Sequence, residues 1–237
     1  MPFPGTHANV RPSYHLARLP VPTDRNYSTA EELAHTLTHG IGALIAVLGL
    51  VVLVVTVAET RDPWHITGAA LFGGALVLMY AASTAYHHAK SPALKLKLRA
   101  VDHAAIYLLI AGTYSPFMLV MFRDSFGLPL FIGLLVLAAA GVIFKIFATG
   151  RFEKTSVAIY LFMGWVILFV AKPVFQAMET GGLILLVAGG LAYTVGVVFY
   201  RWHSLPHHHT IWHLFVMAGS AFHYFAVLYF VKAPLAP

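Results

Sequence analysis

Seven apolar stretches, separated by short polar breaks, constrain this chain more than any other feature. They cover approximately residues 36–58, 65–87, 101–122, 128–149, 156–170, 182–200 and 211–231. A helix needs roughly 20 apolar residues to cross a hydrocarbon core of about 30 Å. The fifth stretch is the shortest, and it reaches full length if it continues through Pro173 toward Gln176. The breaks carry proline, glycine and charge, as in Glu59-Thr60-Arg61-Asp62-Pro63 and Gly150-Arg151-Phe152-Glu153-Lys154. The expected fold is an all-α membrane protein, a seven-transmembrane helix bundle over 35–237 preceded by a polar segment, 1–34.

Composition agrees. Of 237 residues 59% are hydrophobic and only 10% charged, too little charge to cover a soluble surface. The first 30 residues are polar and proline-containing, so helix one is expected to serve as the insertion signal. In a soluble protein the formal charge of +6 would suggest nucleic acid; here its distribution among loops carries the information. With the N-terminus inside, eleven Lys and Arg residues fall in cytoplasmic segments, from Arg11 to Arg201, against Arg61, Arg123, Lys172 and Lys232 outside. Positive charge concentrates on the cytoplasmic side of membrane proteins, so the N-terminus is expected inside and the C-terminus outside. For a bacterial chain that membrane is the cytoplasmic, or inner, one. Gly73-Gly74 and Gly189-Gly190 are expected to let helices approach closely.

This orientation gathers the ionisable residues at one depth. Helix two runs inward and ends in Ser83-Thr84-Ala85-Tyr86-His87-His88, with Ser83 and His87 on one face. Helix three starts back with Asp102-His103 in its first turn. Helix seven opens with His209 and His213, four residues and thus one turn apart, and helix one aligns Glu32, His35 and His39 at spacings of three and four. Polar groups inside a membrane are costly and commonly face the bundle interior, so this grouping reads as a shared site at the inner leaflet.

With no cysteine in the chain, a transition-metal site must use His, Asp, Glu or water. His87, His209 and His213 with one water would form a catalytic zinc arrangement, in which zinc brings the water's pKa near neutrality. Asp102 would then act as general base or orient the water, and Ser83 would donate to a developing oxyanion. Each residue also has a plainer reading. Two histidines can simply sit at an interface, Asp102 can favour a helix start, and Ser83 can bond back to its own helix. His88 points about 100° from His87. His203, His207 and His208 read as an interfacial loop run, and His223 as a hydrogen-bonder within the bundle. His65, His7 and His15 have no evident partners.

The motifs Glu32-x-x-His35-x-x-x-His39-Gly40, Ser83-x-x-x-His87 with Asp102, and His209-x-x-x-His213, in this order across seven spans, resemble the bacterial hemolysin III-like members of the progestin and adipoQ receptor superfamily. The resemblance extends from Glu31 to the end. It implies a seven-helix fold with a cytoplasmic N-terminus and Zn2+ near the inner leaflet, held by His87, His209 and His213, with Asp102 on the metal-bound water. His35 stands where the family usually has asparagine, which adds a proton acceptor or a further ligand; Glu32, His35 and His39 are accessory candidates. The wider superfamily is similar to alkaline ceramidases, which implies zinc-dependent amidase or esterase chemistry on a membrane lipid. Two alternatives are a non-catalytic, receptor-like sensor in which zinc ties helices together, and a channel or transporter affecting ion balance. Helix seven has no lysine before Lys232, which disfavours a retinal Schiff base.

Overall fold

The structure is a computed structural model that describes residues 27–231. Most of the polar segment 1–34, with Arg11, Arg18 and Arg25, and Lys232 at the other end lie outside the described residues. Among the described residues there is no strand, and seven helices are long and apolar enough to cross a membrane. They are α1 (Thr29–Ala58), α2 (Pro63–His88), α3 (Pro92–Met121), α4 (Arg123–Ala148), α5 (Glu153–Ala177), α6 (Thr180–Arg201) and α7 (His208–Phe230). The protein is a seven-helix integral membrane bundle. Its outer surface carries the apolar side chains a bilayer requires, among them Leu44, Leu48, Val136 and Phe147.

Helix ends follow local chemistry. Ser28 caps α1 by accepting from the Glu31 amide at 3.2 Å, while the Glu31 carboxylate accepts from the Ser28 amide at 2.9 Å. This box starts α1 at Thr29, seven residues before the apolar stretch begins. Helix α3 also starts early, because Pro92 at its first position is preorganised for a helix start. Asp102 therefore lies well inside α3. The expected first-turn position is wrong, and a helix-start role is excluded with it.

The interior prolines of α3 and α5 are accommodated in different ways. Pro116 in α3 cannot donate to the Gly112 carbonyl; Ser115 Oγ–H donates there instead at 2.6 Å, and the chain then makes two π-helical segments, Phe117–Met121 and, across a kink, Arg123–Gly127. In α5, Pro173 follows a 3-10 segment, Val166–Val170, so this span does run on past its apolar core, to Ala177. The Tyr114 hydroxyl of α3 bonds across the junction, donating to the carbonyls of Met163 and Gly164 at 2.9 and 2.8 Å and accepting from the Ile167 amide at 3.2 Å.

The core is built from small residues facing aromatics. Gly182, Gly189 and Gly196 recur every seventh residue of α6, and a Cβ at each would lie 2.2–2.9 Å from Phe230, His223 or Trp212 and Phe215 of α7. Gly73 likewise presses on Leu50, whereas a Cβ at Gly74 meets nothing. Tyr80 of α2, Tyr193 of α6 and Ser220 of α7 join hydroxyls at 2.8 Å in the middle of the bundle. These contacts set α1, α2 and α7 side by side, with α7 also against α6. The starts of α1, α3 and α7 and the end of α2 thus share one face of the bundle, the N-terminal face.

Candidate metal centre

Just inside this face, His87 of α2 and His209 and His213 of α7 converge. One ring nitrogen from each lies within 4.8 Å of the others, and all three side chains are buried. The helical period puts His209 and His213 on one side of α7, with ring centroids 4.7 Å apart, and each stands 5.2 Å from His87.

Helix α1 fixes how two of these rings are presented. The Nδ1–H of His87 donates to Glu32 Oε2 at 2.9 Å, and the other carboxylate oxygen of Glu32 accepts from Lys95 at 2.6 Å. Thr38 Oγ–H donates to the Ala34 carbonyl at 2.8 Å, so its lone pairs accept Nδ1–H of His213 at 3.1 Å. Both rings therefore turn Nε2 to the centre. Outer hydrogen bonds of this kind set the tautomer of a ligating histidine.

The buried atoms left over fit a cation. Nε2 of His87 and Nδ1 of His209 have no hydrogen-bond partner among the described residues. Buried polar atoms without partners are uncommon, and each costs about 1–3 kcal/mol of desolvation. Three neutral imidazoles form a donor set suited to zinc, copper, iron or nickel.

The accessory histidines lie in the same cluster. His35 is fully buried at 0% exposure, its ring 4.7 Å from His87 and 4.8 Å from His209. Its nitrogens have no partner among the described residues, and together with Glu32 and His87 it forms a second group of close ligand atoms. His39 stacks on His213 with centroids 3.5 Å apart and ring planes 8° from parallel, and it packs edge-on against Tyr80.

Ser83 and Asp102 are buried beside the centre and line, with His39, His209 and His213, one end of a cavity of about 140 Å³. The cavity passes between α3, α5, α6 and α7 along Leu109, Tyr160, Trp165 and Val216 to His223. A second cavity of about 80 Å³ shares Thr113, Tyr114, Gly164, Trp165, Gly190 and His223 with the first and reaches Phe122 and Leu183. Along α3 the lining runs from Asp102 to Phe117, about 22 Å at the helical rise. The carboxylate of Asp102 lies 3.2 Å from Nδ1 of His103, whose N–H also donates to the Arg99 carbonyl at 3.0 Å. His103 lines this cavity too, although it follows Asp102 on the helix.

The remaining histidines fall elsewhere. His88 is exposed. Nδ1–H of His208 donates to the Phe199 carbonyl at 3.2 Å, and Nε2–H of His223 to the Leu186 carbonyl at 3.1 Å. His65, without evident partners in the sequence, donates from Nδ1 to Asp62 at 2.8 Å on the opposite face.

Sequence comparison bears directly on this arrangement. The profile described as haemolysin-III related matches residues 27–224. The chain belongs to that family. A "Hemolysin-3 homolog" of Bacillus subtilis (strain 168) is 41% identical over 209 residues, covering 88% of this chain and 98% of its own. "Hemolysin-3" of Bacillus cereus is 41% identical over 201 residues, 85% and 92% of the two chains. The human "Monocyte to macrophage differentiation factor", a member of the progestin and adipoQ receptor superfamily, is 29% identical over 213 residues and 86% of each chain. The haemolysin-III match takes in every residue of the centre, from Glu32 and His35 to His213.

Proposed function

We propose that this haemolysin-III family member is a zinc-dependent hydrolase of a lipid amide or ester, working at the inner leaflet of the bacterial cytoplasmic membrane. One observation carries the reading: the apolar cavity begins at Ser83, Asp102, His209 and His213 and leads away from them through the bundle. Apolar walls with a few convergent polar groups at one end suit a ligand with one reactive headgroup and a hydrocarbon tail.

His87, His209 and His213 hold the ion. When bound, zinc supplies the Lewis acidity that makes a water nucleophilic near neutral pH. Asp102, its carboxylate oriented by Nδ1–H of His103, accepts the proton of the attacking water and delivers it to the leaving nitrogen or oxygen. Ser83 Oγ–H donates to the carbonyl oxygen of the substrate as charge develops there. Leu109, Tyr160 and Trp165 hold the hydrocarbon tail and exclude bulk water.

The test pairs lipid profiles of cells with and without the gene with assays of purified protein on amide- and ester-linked lipids. Accumulation of one lipid class in the deleted strain is expected, with turnover of that class lost in Asp102→Asn while bound zinc is retained. Identical profiles and no turnover would refute the hydrolase. A second reading, a receptor-like sensor with structural zinc, draws support from the way α1 braces both ligand-bearing helices through Glu32 and Thr38. It predicts that His213→Ala lowers the unfolding temperature while Asp102→Asn leaves signalling intact.

A further inference from the structure

We infer that His35 is a fourth protein ligand, so that four imidazoles close the metal centre in the resting protein. The proposal rests on the metal reading above; a centre closed by four imidazoles leaves no position for water, so hydrolysis there requires His35 to give up its place to water when substrate binds.

The geometry is that of a cage. The six distances between ring centroids are 4.7 Å for His35–His87, 4.8 Å for His35–His209, 5.3 Å for His35–His213, 5.2 Å for both His87–His209 and His87–His213, and 4.7 Å for His209–His213. Four points with six nearly equal separations form a tetrahedron. Zn–N bonds of about 2.0–2.1 Å put tetrahedral imidazole rings about 5 Å apart. His35 thus occupies the vertex that an open three-histidine site leaves to water.

Burial supports the same assignment. His35 is fully enclosed, and neither of its nitrogens has a hydrogen-bond partner among the described residues. A coordinate bond offsets the desolvation of one of them. As placed, a nitrogen of His35 groups within 4.8 Å with ligand atoms of Glu32 and His87, and the His87–His209–His213 group closes without it; joining that group requires His35 to turn about χ2, a broad and soft torsion.

The competing arrangement, a separate ion held by Glu32, His35 and Nδ1 of His87, meets an obstacle. Both oxygens of Glu32 are engaged, one by Nδ1–H of His87 and the other by the Lys95 ammonium. A cation there would have to displace a lysine and take the proton from His87.

Cobalt(II) tests this in the purified full-length protein, because its visible absorption reports coordination number and ligand exchange. Wild type is expected to bind one Co2+ with a tetrahedral spectrum that azide does not alter, and X-ray absorption should count four imidazoles. His35→Asn should bind Co2+ about tenfold or more weakly and show a band that shifts on adding azide. An azide-sensitive wild-type spectrum, or a count of three imidazoles, overturns the assignment while the three-histidine site stands. Failure of wild type to bind Co2+ or Zn2+ overturns both. If His35→Asn does not fold, the wild-type azide response and imidazole count still decide.

Discussion

Nδ1–H of His87 donates to the Glu32 carboxylate across 2.9 Å, linking the end of α2 to the start of α1 and leaving Nε2 facing the histidine cluster. A carboxylate behind a ligating imidazole fixes its tautomer and raises its basicity. With a metal held at that cluster, Glu32 would act as a positioning residue. Glu32→Gln should weaken metal binding about 10–100-fold with the bundle intact, as measured by competition against a chromogenic chelator. Unchanged affinity would show that the ring is held without it.

The α6–α7 seam yields a paired stability prediction. A Cβ at Gly189 would lie 2.2 Å from Cδ2 of His223, whereas one at Gly74 meets no atom within 4 Å. Gly189→Ala should cost about 1–3 kcal/mol through overpacking, and Gly74→Ala should be neutral or stabilise by up to about 1 kcal/mol through helix propensity. Thermal unfolding in detergent ranks the two, and equal midpoints would contradict the seam.

Acid sensitivity has a source on the opposite face. The Trp64 amide donates to Asp62 at 3.0 Å and holds its carboxyl below the ordinary range, against a small opposing effect of burial; Nδ1–H of His65 assists at 2.8 Å. A carboxyl whose folded pKa is depressed contributes stability above its unfolded pKa of about 3.9, and that contribution is lost as pH falls through the folded value. Asp62→Ala removes a helix cap worth about 0.5–2 kcal/mol near neutrality and should flatten the dependence of stability on pH below about 4. Parallel pH dependence in wild type and variant would contradict this role.

The seven spans were legible because lipid demands long apolar runs, and that signal survives without knowledge of packing. Their ends were less legible. The Ser28 capping box and Pro92 extend α1 and α3 into polar sequence where hydropathy is silent, which is why Asp102 was expected too near a helix start. Helical spacing brought His209 and His213 together, and the polar ends of the spans put His87 at their depth. What spacing could not give was contact between helices: Thr38 behind His213, Lys95 behind Glu32, and the four-ring packing around His35. These depend on how α1 is rotated against α2 and α7, which one sequence does not encode in any short pattern.

Metal content tests the central claim most directly. Wild-type protein purified from zinc-replete cells should carry one zinc per chain; His87→Ala and His209→Ala should carry little or none, and His88→Ala, altering an exposed neighbour, should match wild type. Wild type without metal, or His87→Ala and His209→Ala with the full complement, would contradict the account.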